Sequence, residues 1–416
     1  MKEKALSKYL TPESALILGL LCLVVGMPLS KFLLSISPGI IGAAALWHLI
    51  QQKGKNHLKG QPYAWLLASL FFILLLSGLY TENLHVWIKD LKEKVILAGL
   101  PLAIAILPAL SKKQYLLVYY CFILAISLTA LLSLYFYVLD YESVTDAIGK
   151  NKAVDIVGRM HHSYFGLLQA FSIILAVDLG RRKSQVLFPG ESKLLYLFAA
   201  INFLTIHLFA SRTGLACLYA GTFAYLIFNL FTSSNKKLAV LILLGVLALP
   251  VVSYYSVPAF KNRVDVTRWD LQQYFIEDRD LSEKSFSQRL LVWKSSWNIF
   301  QSSPIIGIGL SDVEDELKRR AEEDQNRINQ EFLLKSPHNQ YLEYLAAYGL
   351  VGFLLLLCNC IFPLLYIRPG IAVFYAFVSM WMTAMMFESI LERVVGISFV
   401  CTFLITLPLF YQTNKS

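Results

Sequence analysis

Apolar residues along this chain gather into long blocks that are separated by short polar stretches. Each block is about 17–25 residues long, which is the length that crosses a bilayer as an α-helix. Helices are expected because they satisfy their own backbone polar groups inside the membrane. The pattern predicts about twelve spans, at residues 13–30, 32–50, 62–80, 94–110, 115–138, 163–179, 193–210, 214–232, 238–256, 349–366, 371–387 and 395–411.

Two pairs of predicted spans are nearly continuous, and short polar stretches divide them. Ser30 and Lys31 separate the first span from the second, and residues 211–214, "SRTG", separate the seventh from the eighth. The spans divide the chain into residues 1–256 with transmembrane helices one to nine, residues 257–338 as a large periplasmic loop with amphipathic helices, and residues 339–416 with an interfacial helix and the last three spans. The sequence therefore predicts an all-α polytopic membrane protein.

Composition agrees with this fold class. The 416 residues are 56% hydrophobic and only 16% charged, with a mean hydropathy of +0.56. A soluble chain of this length would carry far more charge. The six cysteines all lie in apolar spans and include no CxxC pair, so we expect neither disulfides nor a cysteine zinc site.

Basic residues are distributed unevenly between the short loops. "QQKGKNHLKG", "GRRKS" and "SSNKK" are basic and nearly free of acids, whereas the alternate loops are mixed in sign. Basic loops stay in the cytoplasm, so we expect both termini there. Much of the net charge of +9 then sets topology, and no basic patch outside the spans indicates nucleic-acid binding.

The large loop predicts two helices of different character. Leu290, Trp293, Trp297 and Phe300 recur at helical spacing and form an apolar face, which favours a helix along the membrane surface that ends at "SSP", residues 302–304. The second helix, "SDVEDELKRRAEEDQNRINQEFLLK", is polar nearly all round and is typical of a solvated helix. Its expected N-cap is Ser311, and its expected ion pairs are Glu314–Lys318, Asp315–Arg319 and Glu316–Arg320.

Two arginines at the predicted outer side are candidate binding residues. Arg212 lies between two apolar blocks, where a charge is unfavourable unless it faces a polar cavity or a partner. A simple turn between two helices is the alternative. Arg289 precedes the apolar face of the loop helix. The alternative interpretation is that Arg289 has no binding role and only extends its charged end from the membrane surface into water.

The stretch "SPHNQYLEYLAAYGLVG", residues 336–352, holds the candidate base. Ser336 is expected to N-cap a helix with Pro337 at its first position, which places His338 and Asn339 in the first turn. A neutral imidazole at a helix N-terminus can accept a proton. An interfacial cap with no chemical role is the alternative.

Further polar residues occur at the outer ends of other spans. "GRMHHSYFG" contains Arg159, His161 and His162, and we expect these to contact substrate. A zinc site built from both histidines and His207 has no supporting motif spacing. The second group is Glu388, Glu392 and Arg393 in "FESILERVVG", where the two carboxylates are expected to share a helix face. We place this group with the substrate-binding residues, and an ion-pair network with the outer arginines is the alternative.

Three stretches, in this order along the chain, resemble the O-antigen ligase and O-antigen polymerase superfamily: "SRTG", "RLLVWKSSWNIFQSSPIIGIGL" and "PHNQYLEYLAAYGLVGFLLLL". The similar region covers about residues 160–365. The resemblance implies a GT-C-like fold and an inverting glycosyltransferase that needs no metal or cofactor. The implied donor is a glycan on undecaprenyl pyrophosphate, and the implied acceptor is a sugar hydroxyl on a second lipid-linked glycan, which is lipid A-core in the ligase branch. The implied location is the bacterial inner membrane, with the active site on the periplasmic side.

The same resemblance implies roles for individual residues. Arg212 and Arg289 match the family's arginines and would stabilise the departing pyrophosphate, because a guanidinium is always charged and binds phosphate oxygens in pairs. His338 matches its histidine and would act as general base, and Asn339 would orient His338 or a sugar.

Three other functions remain open from the sequence. A polymerase would extend a glycan that is still on undecaprenyl pyrophosphate, and a protein O-oligosaccharyltransferase would use a serine or threonine acceptor. A flippase for lipid-linked sugars is the alternative outside enzymes. Transporters usually show two matching halves and interrupted helices near the midplane. This chain shows no such halves, and its polar candidates gather at one predicted membrane face.

Overall fold

The computed structural model describes residues 11–51, 62–144, 155–158, 160–182, 188–232, 236–275, 285–323, 334–367 and 371–412. Regular secondary structure in these ranges is entirely helical. The helices are α1 Pro12–Leu29, α2 Lys31–Gln51, α3 Pro62–Ser77, α4 Leu84–Lys94, α5 Ile96–Ile106, α6 Lys112–Leu139, α7 His162–Arg181, α8 Glu191–Leu208, α9 Arg212–Thr232, α10 Lys236–Ser256, α11 Pro258–Tyr274, α12 Ser285–Ser302, α13 Leu310–Glu323, α14 Gln340–Tyr366, α15 Ala372–Met385 and α16 Val394–Gln412, with a short 3₁₀ helix at Ile390–Glu392.

Six helices among the described residues are long and apolar enough to cross a membrane, namely α1, α2, α6, α7, α14 and α16. Two shorter apolar helices, α3 and α15, accompany them. The predicted fold class, an all-α protein with several membrane spans, is confirmed. The total of twelve spans stays a prediction.

The two predicted breaks between adjacent spans are present. α1 ends at Leu29 and α2 begins at Lys31, with Ser30 extended between them. α8 ends at Leu208 and α9 begins at Arg212. The fourth predicted span differs, because the polar helix α4 occupies its start and α5 covers only 11 residues. Leu107 ends α5 in an extended conformation, as expected for a residue before proline.

The large loop contains α11, α12 and α13. The predicted end of α12 is confirmed, because this helix stops at Ser302. The prediction for the start of α13 was wrong: the helix begins at Leu310, and Ser311 lies inside it, where its hydroxyl donates to Asp90 Oδ2 at 2.8 Å.

The prediction that α13 is polar nearly all round was also wrong. Val313, Leu317 and Ala321 form a buried stripe at helical spacing. Outside this stripe the helix has the expected Glu314–Lys318 pair at 2.6 Å and the expected Glu316–Arg320 pair at 2.7 Å. The predicted Asp315–Arg319 pair is replaced by a contact between Arg319 and Glu316, and Asp315 accepts from Asn83 Nδ2 instead.

The glycine-containing segment 304–309, "PIIGIG", holds the loop against a break in α14. Gly349 interrupts α14 with a φ of 61°, a left-handed conformation that glycine adopts without strain. The backbone N–H groups of Ile308 and Gly309 donate to the carbonyl groups of residues 346 and 347, and those of Leu350 and Val351 donate to residues 304 and 305. The segment therefore joins α12 and α13 to the helix that follows His338.

Candidate functional site

Two helices that carry candidate residues approach closely at one end of the bundle. A Cβ on Gly166 in α7 would lie 2.7 Å from the Cα of Gly214 in α9, and the reverse contact is also 2.7 Å. The Ser211 hydroxyl donates to the His162 carbonyl at 3.4 Å and accepts from the Gly214 N–H at 3.3 Å. "SRTG" thus contains a helix cap and a glycine contact that together place Arg212 beside the start of α7.

Glu388, in the segment after α15, lies at the centre of the site. Its Oε1 accepts from the Ser163 hydroxyl at 2.9 Å and from Arg289 Nη2 at 3.2 Å. Its Oε2 contacts His338 Nδ1 at 3.3 Å. One buried carboxylate therefore joins two of the predicted catalytic residues, which are 49 positions apart in the sequence.

The charge of Glu388 determines which ring nitrogen of His338 carries a proton. Burial raises the pKa of Glu388, but the His338 hydrogen bond and the positive charges of Arg289 and the histidines outweigh burial and lower it to about 2. An ionised carboxylate only accepts hydrogen bonds, so Nδ1 of His338 must donate. Nε2 of the neutral ring is then the nitrogen with a lone pair, as a general base requires.

The backbone around His338 differs from the prediction. The N-cap of α14 is Asn339 rather than Ser336, because the Asn339 side-chain oxygen accepts from the N–H groups of Tyr341 and Leu342. His338 therefore lies before the helix, and not in its first turn. Its φ of 49° is unusual for a residue other than glycine and costs of order 1–3 kcal/mol. Such strain persists where surrounding contacts impose it.

Trp293 supplies one of those contacts. Its indole Nε1 donates to the Pro337 carbonyl at 3.0 Å, immediately before His338. The predicted apolar face of α12 is only partly covered by protein, at Leu290, Trp293, Trp297 and Phe300. The helix packs on the rest of the fold through Val292 and Ile299 instead. Trp293 thus belongs to the apolar face and also supports the backbone at His338.

Arg212 lines a cavity next to this cluster. The cavity has a volume of about 460 Å³ and lies between α9, α11 and the first turn of α12, where Phe286 lines it. Burial and then the positive charges of Arg263 and Arg289 lower the pKa of Arg212 to about 9, and Asp270 opposes them. The guanidinium is therefore charged at neutral pH, and its charge adds to that of Arg289.

The remaining predicted residues at the start of α7 lie around the same cluster. His161 is more exposed than the half-buried His162, and their ring centres are 4.3 Å apart. Partial burial lowers the pKa of His161, Glu388 opposes this, and Arg289 adds to it, so all three side chains are within electrostatic range. Arg159 lies outside the described residues.

The two carboxylates after α15 do not share a helix face, so that prediction was wrong. α15 ends at Met385, and the chain then turns into the 3₁₀ helix. Glu388 faces His338 and Arg289, whereas Glu392 pairs with Lys94 at 2.7 Å. Arg393 follows the turn and is exposed. The alternative interpretation, an ion pair with an outer arginine, describes Glu388 well.

His207 has the contacts of an interior histidine. Its Nδ1 lies 2.7 Å from the Phe203 carbonyl oxygen and its Nε2 lies 3.1 Å from the Tyr219 hydroxyl, so both nitrogens are engaged. Within the described ranges, no group of three or more His, Cys, Asp or Glu side chains is arranged to hold a metal ion.

The residues that support the site were not predictable from the sequence. Ser163 donates to Glu388, and Trp293 donates to the Pro337 carbonyl. The contact between His338 and Glu388 joins residues that are 50 positions apart. No local spacing indicates these contacts. The signal that the sequence does offer for Glu388 is an acidic residue directly after a predicted span, where a charge is unfavourable without a partner.

Comparisons with known proteins agree with the sequence motifs. Residues 196–357 match the family model described as O-Antigen ligase. This region includes Arg212, Arg289 and His338, and the predicted resemblance to the O-antigen ligase superfamily is confirmed. The chain is also 27% identical over 134 residues to an uncharacterized protein of Haemophilus influenzae. That match covers 32% of this chain and 33% of the other protein.

Proposed function

We propose that this chain is an inverting membrane glycosyltransferase of the O-antigen ligase type. The donor is a glycan carried by undecaprenyl pyrophosphate, and the acceptor is a sugar hydroxyl of a glycolipid such as lipid A-core. The observation that supports this most strongly is the contact of one carboxylate, Glu388, with both His338 and Arg289. This contact supports a site in which His338, as the proposed general base, and the Arg289 cation act together.

His338 acts as the base on the acceptor. Its Nε2 takes the proton from the acceptor hydroxyl while the oxygen attacks the anomeric carbon of the donor sugar. The bond from that carbon to the pyrophosphate breaks, and the pyrophosphate leaves with the electron pair. Attack from the opposite face inverts the anomeric carbon. Glu388 does not touch the reacting atoms and is a positioning residue, because it fixes the orientation and tautomer of His338.

Arg212 and Arg289 stabilise the negative charge that develops on the leaving group. The Arg289 side chain is 22% exposed and uses Nη2 for Glu388 and Nη1 for the Phe387 carbonyl. A guanidinium has five N–H donors, so others are left for phosphate oxygens. The reaction needs no metal in this scheme, because these fixed positive charges supply the electrostatic stabilisation.

Other residues contribute to binding and support. We assign His161, His162 and Arg393 to substrate contacts around the site, and Arg159 keeps the substrate-binding role predicted from the sequence. Asn339 caps α14 and thereby holds the His338 backbone. Glu392 is assigned to support of the turn after Glu388 through its pair with Lys94.

The topology that accompanies this function has about twelve spans in a GT-C-like arrangement. The protein lies in the inner membrane with both termini in the cytoplasm, and the site opens at the periplasmic surface. The short cytoplasmic loops then hold the excess of basic residues, in agreement with the charge distribution.

Transfer by purified protein tests the proposal. Undecaprenyl-pyrophosphate-linked glycan is supplied either with lipid A-core or alone, and products are separated on a gel. Glycan on lipid A-core supports the ligase, whereas longer glycans on the donor lipid would indicate the polymerase. His338→Ala should lower turnover at least about 10²-fold. Absence of any transfer by the wild-type protein would refute the proposal, and lipid translocation in its place would indicate a flippase.

A further inference from the structure

The cavity beside Arg212 combines apolar walls with positive charge. Leu215 in α9, Leu271 in α11 and Phe286 in α12 supply apolar surface, and Arg212, Arg263 and Arg268 line the same space. No carboxylate lines it among the described residues. At about 460 Å³ the cavity has the size of a small-molecule site.

One face of α11 supplies half of this lining. These six residues recur at the spacing of a single helical face: Phe260, Arg263, Val264, Thr267, Arg268 and Leu271. Arg263 is only 7% exposed, whereas Arg268 is exposed. The buried arginine therefore faces the inner part of the cavity, which it shares with Arg212.

Arg212 and Arg263 repel each other in this arrangement. The charge of Arg263 lowers the pKa of Arg212 more than that of Arg289 does. The negative charge of Asp270 opposes this effect on Arg212, and its oxygens accept from the Phe286 N–H at 2.8 Å and the Ser287 hydroxyl at 2.7 Å. An anion of high charge between the two guanidinium groups would stabilise both of them.

We infer that Arg263 is a third binding residue for the donor, which binds the pyrophosphate together with Arg212 while the apolar walls hold the first isoprene units of the lipid. This inference rests on the proposed function and extends it, because it assigns the cavity between α9 and α11 to a lipid pyrophosphate. Arg289 then lies on the side of the pyrophosphate that faces His338. The ligand class follows from the lining, since an apolar space lined by three arginines fits an amphiphilic polyanion better than a neutral lipid or a free sugar.

Binding measurements on the purified full-length protein in detergent test the assignment. The probes are undecaprenyl pyrophosphate, undecaprenyl monophosphate, undecaprenol and inorganic pyrophosphate. The wild-type protein should bind the lipid pyrophosphate most tightly, because this probe alone provides both the charge and the apolar chain. Inorganic pyrophosphate should bind more weakly, which separates the lipid from a free phosphate as the source of the anion.

The variants are Arg263→Gln, Arg263→Lys and a matched control, Lys261→Gln. Lys261 lies on the same helix, is exposed and does not line the cavity, so its replacement removes the same charge elsewhere. Arg263→Gln should reduce the preference for pyrophosphate over monophosphate at least about 10-fold, as expected for a lost charge-assisted hydrogen bond. Arg263→Lys should restore part of this preference, and Lys261→Gln should change it less than about 2-fold, because a distant exposed charge is screened.

The preference between two probes is measured within each variant, so it does not depend on how much of the protein is folded. Arg263→Gln should also raise the KM for the donor and leave the KM for the acceptor unchanged. An unchanged preference in Arg263→Gln would overturn this inference and leave the proposed function intact. Failure of the wild-type protein to bind any lipid pyrophosphate would instead overturn the proposed function and this inference with it.

Discussion

Replacing Glu388 by glutamine changes one charge at the centre of the site without changing side-chain size. The two oxygens of Glu388 have different partners: Oε1 accepts from Ser163 and Arg289, and Oε2 accepts from His338 Nδ1. Glutamine has one acceptor oxygen and one donor NH₂ group, so it cannot satisfy all three donors.

The contacts predict which way the glutamine amide turns. Its oxygen should occupy the Oε1 position, where two donors converge and one of them is charged. The NH₂ group then faces His338 Nδ1 and requires that nitrogen to accept. The ring proton moves to Nε2, and the base can no longer take a proton from the acceptor hydroxyl. In the opposite orientation the NH₂ group would occupy the position of Oε1, which lies 3.2 Å from Arg289 Nη2 in the wild-type protein. Two hydrogen-bond donors would then face each other with no acceptor between them.

The expected loss in kcat is about 10²–10⁴-fold. This is the range for general-base catalysis, and the comparable carboxylate-to-amide change in a serine protease lowers kcat by about 10⁴ through the wrong histidine tautomer. The assay is glycan transfer at saturating donor and acceptor. Ser163→Ala is the matched control, because it removes a donor from Oε1 and leaves the carboxylate charge and the His338 contact. Its expected loss is less than about 10-fold.

A Glu388→Gln protein that folds and transfers glycan within about 3-fold of the wild-type rate would refute this role of Glu388, since a tautomer defect is expected to lower the rate far more. Equal losses in Glu388→Gln and Ser163→Ala would also contradict it, because the effect would then come from packing around Oε1 and not from His338.

Three other predictions concern stability and metal independence. The pKa of Glu388 is about 2 in the fold against an ordinary 4.5, so the ionised carboxylate stabilises the fold above pH 4.5 and this stabilisation is lost as pH falls towards 2. Between pH 6 and pH 3 the free energy of unfolding of the wild-type protein, measured in detergent, should fall by about 2 kcal/mol more than that of Glu388→Gln. Gly307→Ala should destabilise the fold by about 2–4 kcal/mol, because φ is 71° and the new Cβ would lie 2.3 Å from the Ala347 carbonyl carbon; Gly42→Ala, which meets no atom within 4 Å, is the control, and equal melting temperatures would contradict the prediction. Transfer should survive EDTA, and a loss that Mg²⁺ or Mn²⁺ restores would show that the arginines are not sufficient.

The membrane helices were predictable because their signal is local. Apolar blocks and the breaks at Ser30 and at residues 209–211 are visible in sequence, and both appear in the fold. The start of α14 was not predictable in the same way. Ser336 and Asn339 are both good N-caps only three positions apart, and the long-range contact from Trp293 to Pro337 helps to fix the chain between them.

The candidate site shows the same division between local and long-range information. Arg212, Arg289 and His338 could be selected as candidates from the sequence because each lies in a short motif of its own. The role of Glu388 depends on His338, which is 50 positions away, and on Ser163, which is 225 positions away. The predicted helix face shared with Glu392 failed because α15 stops at Met385, before either carboxylate.

The stereochemistry of the product tests the central claim most directly. The proposed mechanism requires a single displacement in which His338 activates the acceptor and the arginines stabilise the leaving pyrophosphate. NMR of the new glycosidic linkage, compared with the linkage of the same sugar in the donor, gives the anomeric configuration of each. Inversion is the predicted result. Retention would indicate a covalent glycosyl-enzyme intermediate and would contradict direct attack by the acceptor.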